Sequence, residues 1–290
     1  AMDSRGSESP SDAASITPGL YLVATPIGNA DDITLRALQV LRAADVVACE
    51  DTRHTGRLMQ RYGISARLIP YHDHNADEAR PRLLARLADG GRVALVSDAG
   101  TPLVSDPGFK LVREARAQGS AVTAIPGACA AVTGLQLSGL PPDRFMFVGF
   151  LPPRQSARRT ALGELRAVPA TLVFYESPNR LSDALLDMAA VLGDRPAAVT
   201  RELTKLFEEV VEGRLSELTA RYRDDPPRGE IVVVVGGPEA PAVDAVDVDG
   251  MLTAALATSG VRDAAAAVAE VTGLPKRELY ARALALGRRE

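Results

Sequence analysis

The segment from Val96 to Gly108, VSDAGTPLVSDPG, carries the strongest chemical signal in the chain. It follows a strand-like run and precedes a helix-length stretch, and its small residues let main-chain N–H and C=O groups approach a ligand closely. Open α/β sheets bind ligands at the carboxyl ends of their strands, so we expect a ligand loop here. The alternative is a tight connection in which Asp106 caps the next helix and Pro107 takes its first position.

Two further loops of small residues follow predicted strands, ATPIGN from Ala24 to Asn29 and IPGACA from Ile125 to Ala130. Either one alone is explained equally well by an ordinary turn. Three such loops at one sheet edge together predict a ligand held mainly by backbone groups. The chain contains neither the GxGxxG fingerprint of dinucleotide sites nor a GxxxxGK phosphate loop, which argues against NAD and ATP.

Polar residues concentrate in three segments, CEDTRHTGR from Cys49 to Arg57, YHDHN from Tyr71 to Asn75, and RELTKLFEEVVEG from Arg201 to Gly213. These groups suit a polar substrate. The structural alternatives are that Asp51 and Thr52 cap a helix and that Glu202 and Lys205 form a solvated pair. His72 and His74 have the spacing of a metal pair, but the sequence indicates no third ligand, so we expect no metal.

A basic stretch, PPRQSARRTALGELR, carries Arg154, Arg158, Arg159 and Arg166 against the single Glu164. The whole chain has 33 Lys and Arg against 37 Asp and Glu, a formal net charge of -4. Such a chain has no general attraction for nucleic acid, so binding to a phosphate backbone requires a local patch such as this one. A solvated helix face is the equally plausible alternative.

The first half of the chain alternates short β-branched runs with amphipathic stretches, the pattern of βαβ units around a mostly parallel sheet. The predicted strands there are Leu20–Ala24, Val46–Cys49, Arg67–Tyr71, Val93–Ser97 and Ala121–Ile125, and the predicted helices are Thr34–Ala43, Arg53–Tyr62, Arg80–Ala88 and Gly108–Ala117.

After a stretch rich in Pro and Gly, a second block of helices and strands begins. Its predicted helices are Ser156–Arg166 and Arg180–Leu192, and its predicted strands are Thr171–Tyr175, Ala197–Thr200 and the central, buried Ile231–Val235. We therefore expect a disordered tail over 1–18, α/β domains over 19–130 and 131–237, a linker over 238–248, and a helix-turn-helix-like tail domain over 249–290.

The chain has two cysteines, Cys49 and Cys129, which excludes a disulfide framework and a zinc-type thiolate cluster and predicts a cytoplasmic protein. No apolar run approaches the ~20 residues that span a bilayer, so we expect no membrane partner. The first residues lack the basic and apolar regions of a secretory signal.

The loops and polar segments together closely resemble the tetrapyrrole methylase superfamily and, within it, the bacterial 16S ribosomal RNA cytidine 2'-O-methyltransferases. The resemblance extends from about Gly19 to Val235. Its motifs are TPIGN, EDTR, YHDHN, VSDAGTPLVSDPG, IPGACAA, GLPPDRFMFVGFLP, FYESP, RELTK with Glu208 and Glu209, and GEIVVVV. Tetrapyrrole-specific members carry a GxGPGD loop and a GDP loop where this chain has ATPIGN and Gly100-Thr101-Pro102, and these departures favour the RNA branch.

The resemblance implies two α/β domains that hold S-adenosylmethionine in the cleft between them, and a homodimer. Carried over position by position, it implies cofactor contacts from Pro26, Gly100, Thr101, Val104, Ala128, Cys129, Tyr175 and Ile231. Most of these would act through main-chain atoms or packing. Cys129 would be a small apolar neighbour of the cofactor, and its replacement by Ser should be mild.

The implied reaction moves a methyl group from a sulfonium to a ribose 2'-OH, for which orientation and a proton acceptor help and no metal is required. The candidates for base or hydroxyl positioning are His74, Glu202 and Lys205, supported by Glu50, Asp51, Arg53 and Arg201. The implied partner is 16S rRNA in the small ribosomal subunit, not DNA. The expected RNA contacts are Arg53, Arg154, Arg158, Arg159 and Arg201.

The chain's last segment resembles the small helical domain of some members and has a basic end, with Lys276, Arg277, Arg282, Arg288 and Arg289. It either docks on rRNA or packs against the body. Two other functions stay open from the sequence: a methyltransferase for a tetrapyrrole or a modified amino acid, and a ribosome-binding module without catalysis. The altered loops argue against the first, and the three close-approach loops argue against the second.

Overall fold

The computed structural model describes residues 16–105, 108–238 and 247–287. The first half of the chain forms a five-stranded sheet in the order β3-β2-β4-β1-β5, and every neighbouring pair is parallel. Helices cover both faces of such a sheet, which explains why β2 and most of β4 read as continuous apolar runs and are buried. The strands are β1 (Gly19–Val23), β2 (Val46–Cys49), β3 (Leu68–Pro70), β4 (Arg92–Val96) and β5 (Val122–Ile125).

Four helices connect these strands: α1 (Leu35–Ala43), α2 (Thr52–Arg61), α3 (Ala76–Ala88) and α4 (Phe109–Ala117). The apolar faces of α1 and α2 form one core with the sheet, and those of α3 and α4 form another on the opposite face. Asp51 caps α2 by accepting a 2.8 Å hydrogen bond from the backbone N–H of Arg53. This cap was the structural alternative for the segment around Asp51.

The second half forms a mixed five-stranded sheet in the order β6-β7-β10-β8-β9, in which only the β6–β7 pair is parallel. The strands are β6 (Phe145–Phe150), β7 (Thr171–Glu176), β8 (Pro196–Arg201), β9 (Glu209–Arg214) and β10 (Ile231–Val235). The prediction that Ile231–Val235 is a central, buried strand is confirmed, because all five residues of β10 are buried.

Helix α5 (Ala130–Leu137) covers one face of this second sheet, where it packs on β7 and β10. The opposite face is covered by α6 (Gln155–Leu165), α7 (Leu181–Leu192) and α8 (Leu215–Asp224), which enclose the largest core of the molecule. The helices α5 and α8 and the strands β6 and β9 were not predicted from the sequence.

Part of the predicted basic patch is a buried ion cluster between α6 and α7. The Asp187 carboxylate is fully buried and accepts hydrogen bonds of 2.7 Å from the guanidinium groups of Arg158 and Arg159. The Arg158 side chain is 5% exposed and also donates to the carbonyl oxygen of Pro153. Arg158 is therefore unavailable to a phosphate, and its prediction as an RNA contact is corrected. Arg159 remains about half exposed.

The C-terminal segment forms three helices, α9 (Val248–Leu256), α10 (Val261–Thr272) and α11 (Lys276–Leu286), which pack around a small core of their own. Gly273, with φ +71°, ends α10. The structure describes only some of the basic residues that were noted in this segment. Arg282 is paired with Asp249 at 2.7 Å, whereas Arg288 and Arg289 lie outside the described residues.

The ends of the chain and its predicted linker are described only in part. Of the predicted tail 1–18, residues 1–15 lie outside the described residues, and the hydroxyl of Tyr21 donates to the carbonyl oxygen of Thr17 at 2.7 Å. Packed chain thus begins before residue 19. Residues 239–246 of the predicted linker also lie outside the described part. Among the described helices, none has both the length and the apolar character to cross a membrane.

Candidate active site between the two sheets

The three loops of small residues leave neighbouring strands, since β4, β1 and β5 are adjacent and parallel. Hydrogen bonds tie these loops together. Thr25 and Gly100 exchange backbone hydrogen bonds of 2.9 and 3.0 Å, and the Thr25 hydroxyl donates to the carbonyl oxygen of Ser97. The Thr101 hydroxyl donates to the carbonyl oxygen of Ala128 at 3.0 Å. The loops therefore form one pre-organised unit at the sheet edge.

Gly100 occupies a position in this unit that only glycine suits. Its φ is +82°, and a Cβ atom there would lie 3.1 Å from Cγ2 of Ile27 and 3.4 Å from the carbonyl oxygen of Ala128. Both the backbone conformation and the free space disfavour a side chain. Glycine therefore lets this loop pack closely against the loops that follow β1 and β5, beside an open space that Gly100 itself lines.

That space is a cavity of about 360 Å³ between the two halves of the molecule, which we call the central cavity. Small-molecule sites are commonly concave, mostly apolar spaces with a few polar groups, and this cavity has that character. Its walls include six of the eight predicted cofactor residues, namely Gly100, Thr101, Val104, Cys129, Tyr175 and Ile231. Of the other two, Pro26 lines a neighbouring cleft, and Ala128 accepts the hydrogen bond from Thr101.

Tyr175 stands between the cavity and the core beneath it. Its hydroxyl accepts a hydrogen bond of 3.2 Å from the backbone N–H of Ala131, and its ring meets Phe147 and Phe150 edge to face. Burial, together with the neighbouring Cys129 thiol, raises the pKa of Tyr175 to about 12. The phenol is therefore neutral at physiological pH and serves as an apolar wall with one fixed polar atom.

Two loops beside the cavity hold residues in the left-handed region of backbone conformation. In the β4–α4 loop these are Leu103 (φ 72°) and Ser105 (φ 55°), and in the β8–β9 loop they are Glu202 (φ 52°) and Thr204 (φ 67°). They are the non-glycine residues with positive φ in the described part of the chain. Such conformations cost ~1–3 kcal/mol each and concentrate at functional sites. Both loops are thus candidates for function.

Glu202 and Lys205 belong to a compact polar cluster with Glu230. The Lys205 ammonium donates to Oε1 of Glu202 at 2.9 Å and to Oε2 of Glu230 at 2.8 Å, and the backbone N–H of Glu230 donates to Oε1 of Glu202 at 3.0 Å. Glu230 lines both the central cavity and the neighbouring cleft. Glu230 was not among the residues predicted for the site, because the position of Glu230 beside Glu202 depends on the antiparallel pairing of β10 with β8.

The charges of this cluster follow from its contacts. The backbone N–H of Glu230 and the Lys205 ammonium lower the pKa of Glu202. Burial disfavours the charged form of Lys205, but the carboxylates of Glu230 and Glu202 outweigh it and raise the pKa of Lys205. Lys205 is therefore protonated at neutral pH and has no free electron pair to accept a proton. Of the two predicted roles, hydroxyl positioning remains for Lys205.

The structure does not bring His74 into the polar cluster. His74 is exposed on the turn between β3 and α3, and it lines neither the central cavity nor the cleft. Because β3 lies two strands away from β4 in the sheet, the end of β3 is about 10 Å from the β4–α4 loop, the nearest of the three loops. The histidine that lines the cleft beside Lys205 is His54 on α2. Within the described residues, no three His, Cys, Asp or Glu side chains are grouped to hold a metal ion.

The remaining predicted RNA contacts lie in different settings. The Arg53 side chain is 86% exposed and pairs with Asp51, while Arg154 is exposed at the start of α6. Arg201 is mostly covered and donates to Glu209 at 3.1 Å. The predicted helix caps Asp106 and Pro107 lie outside the described residues, and α4 begins at Phe109 after Gly108.

Comparisons with known proteins identify the family and the fold. Residues 19–219 match the family described as Tetrapyrrole (Corrin/Porphyrin) Methylases, and residues 242–287 match the RsmI C-terminal HTH domain. The crystal structure of uroporphyrin-III C-methyl transferase from Thermus thermophilus complexed with S-adenyl homocysteine is similar in fold, with a TM-score of 0.52 and 22% identity, over 74% of this chain and 96% of that one.

Curated relatives are similar over almost their whole length. A protein of Mesorhizobium japonicum named ribosomal RNA small subunit methyltransferase I is 53% identical over 94% of both chains. A protein of the same name from Micromonospora olivasterospora is 55% identical over 90% of this chain and 85% of its own. The chain therefore belongs to the tetrapyrrole methylase family and, within it, to the ribosomal RNA small subunit methyltransferase I proteins.

Proposed function

We propose that this protein transfers a methyl group from S-adenosylmethionine to the ribose 2'-oxygen of a cytidine in the 16S rRNA of the small ribosomal subunit. The observation that carries the proposal is the central cavity. Its wall consists of backbone loops joined by hydrogen bonds, and the charged cluster of Glu202, Lys205 and Glu230 lies at its edge. The names of the curated relatives support rRNA as the acceptor. The choice of cytidine and of the 2'-oxygen rests on the resemblance of the motifs.

The walls of the central cavity fit the proposed cofactor. The backbone of Gly100 and Thr101, which lines the cavity, would bind it on one side, and Val104, Cys129, Tyr175 and Ile231 would pack against it. When bound, S-adenosylmethionine supplies a methyl group on an electron-poor sulfonium. A Cβ at position 100 would contact Ile27 and the carbonyl oxygen of Ala128, so glycine is needed to keep the loop in this shape beside the cavity.

The charged cluster has the groups to orient a hydroxyl. The protonated Lys205 donates hydrogen bonds, and the carboxylates of Glu202 and Glu230 fix its position and accept hydrogen bonds. A carboxylate with a lowered pKa is a weak base, so orientation of the hydroxyl contributes more than proton abstraction. We propose Glu202 and Lys205 as the groups that position the ribose hydroxyl, without His74.

Recognition of the rRNA requires a surface around this site. We propose Arg53, Arg154, Arg159 and Arg201 as contacts to phosphate groups, with Arg158 left out because it is buried. We further propose that the enzyme is a homodimer that acts in the cytoplasm. The homodimer rests on the resemblance to the family, and the cytoplasmic location rests on the cysteine content of the sequence.

Changing Glu202 to Gln is expected to lower kcat for methyl transfer at least about tenfold while cofactor affinity stays the same, because the amide removes the charge that holds Lys205 in place. Transfer of tritium from labelled S-adenosylmethionine into the RNA of isolated small subunits measures it. Glu212→Gln, an exposed carboxylate on β9, is the matched control and should behave as wild type. An unchanged kcat for Glu202→Gln would rule out the proposed positioning role of Glu202. Absence of label in the RNA with the wild-type protein would contradict the proposed function.

A further inference from the structure

A second space opens directly beside the central cavity. It has a volume of about 560 Å³ and lies between α2 and the loops that follow β1, β4 and β8, and we call it the α2 cleft. The two spaces share Ile27, Ala99 and Glu230 in their walls. A molecule in the α2 cleft is therefore next to the ligand of the central cavity.

Helix α2 presents a row of basic side chains to this cleft. His54, Arg57 and Arg61 follow one another at spacings of three and four residues, which place them on one face of a helix. All three are exposed, and all three line the cleft. Arg61 lies four residues beyond the polar segment from Cys49 to Arg57, and the helix brings it to the same face as Arg57.

The positive charge of this row is available to a ligand. Within the described part of the chain, Arg57 makes neither an ion pair nor a hydrogen bond through its side chain. Arg61 pairs with Asp31 at 3.4 Å, but both side chains are more than half exposed, and such pairs contribute little. The charge of Lys205, by contrast, is already balanced by Glu202 and Glu230.

A ribose acceptor brings phosphate groups to the edge of the central cavity. In an RNA chain, the ribose that carries the reacting 2'-oxygen is bonded to a phosphate on each side through its 3'- and 5'-oxygens. When that ribose reaches the central cavity, these phosphates must lie just outside it. The walls of the central cavity are mostly apolar, whereas Arg57 and Arg61 have the planar guanidinium groups that suit phosphate oxygens.

We infer that the α2 cleft binds the RNA backbone next to the target nucleotide, with Arg57 and Arg61 as phosphate contacts. The inference rests on the proposed function and names the acceptor side of the same site. It adds α2 to the arginines proposed from the sequence. The carboxylates of Asp98 and Glu230 also line the cleft, so the attraction for phosphate comes from its α2 side, where Arg57 and Arg61 lie.

Changing Arg57 to Glu tests the inference. We expect KM for small ribosomal subunits to rise at least about tenfold with little change in kcat, because a phosphate contact is made equally in the bound and transition states. The slope of log affinity against log salt should fall by about one. Affinity for S-adenosylmethionine should stay as in wild type, and Arg57→Lys, which keeps the charge, should lose less.

The matched control is Arg82→Glu, the same charge reversal at an exposed arginine of α3 that does not line the cleft. Unchanged KM and RNA affinity in Arg57→Glu would overturn the inference, as would an equal loss in Arg82→Glu. Retention of RNA on filters measures affinity without catalysis. If wild-type protein transfers no methyl group, the proposed function fails, and the filter assay still decides whether Arg57 binds RNA.

Discussion

Changing Cys129 to Trp is expected to weaken binding of S-adenosylmethionine at least about 100-fold, which corresponds to roughly 2.7 kcal/mol. Cys129 lies in the wall of the central cavity beside Tyr175, and its neighbour Ala128 accepts the hydrogen bond from Thr101 of the β4–α4 loop. An indole at this position would occupy space that the cofactor needs. Methyl transfer should be lost together with binding. Isothermal titration calorimetry of the two proteins measures the difference.

The control for this prediction is Cys129→Ser, which has nearly the same size and should bind the cofactor as wild type does. Position 129 is the residue before the first turn of α5, where Ser is favourable. Circular dichroism shows whether Cys129→Trp folds. A folded Cys129→Trp protein with wild-type affinity would place the cofactor outside the central cavity.

Changing Asp187 to Asn is expected to destabilise the protein by roughly 3–5 kcal/mol, because it leaves the buried guanidinium group of Arg158 without its counter-charge. Burial opposes ionisation of Asp187, but the hydrogen bonds and charges of Arg159 and Arg158 outweigh it, and the pKa of Asp187 is lowered. The contribution is therefore present above the ordinary carboxyl pKa and is lost as pH falls below it. The stability gap between the two proteins should be largest at neutral pH and should narrow in acid.

The double variant Arg158→Met with Asp187→Leu separates the loss of a partner from the loss of the pair. It removes both buried charges and fills their place with apolar groups, so it should recover most of the stability that Asp187→Asn loses. Urea unfolding of the three proteins gives the comparison. If Asp187→Asn unfolds at the same urea concentration as wild type, the cluster does not stabilise α6 against α7.

The first sheet was predictable from the sequence because its central strands, β2, β4 and β1, are almost wholly buried. Val46–Cys49 is observed at its predicted bounds, and the other predicted strands of this sheet differ by one residue at one or both ends. Parallel strands also bring their carboxyl ends to one edge, so the loop at Gly100 could be assigned to a ligand site without knowing its contacts. Burial and chain direction here have a simple signature in the sequence.

The edge strands of the second sheet have no such signature. β6 is largely exposed and contains Gly149 with φ +77°, and β9 has only two valines, which lie between two glutamates. A strand with one neighbour is only partly buried, so it lacks the continuous apolar run that marks β10. Neither edge strand of the second sheet was therefore predicted as a strand.

Contacts between distant elements explain the errors in the site. Arg158 was assigned to a surface patch because its partner, Asp187, lies 29 residues away on α7. His74 was preferred to His54 because the sequence does not show that β3 is at the far edge of the sheet. Strand order and helix packing decide which polar residues meet, and neither is visible in local spacing.

The central claim is that a cytidine 2'-oxygen of 16S rRNA receives the methyl group. Small ribosomal subunits and naked 16S rRNA, both from cells that lack this enzyme, should be incubated with tritiated S-adenosylmethionine and digested to nucleosides. We predict label in 2'-O-methylcytidine with wild-type protein and none with Cys129→Trp. Label on a base or another nucleoside would contradict the claim, and no label from a protein that binds the cofactor would indicate a small-molecule acceptor.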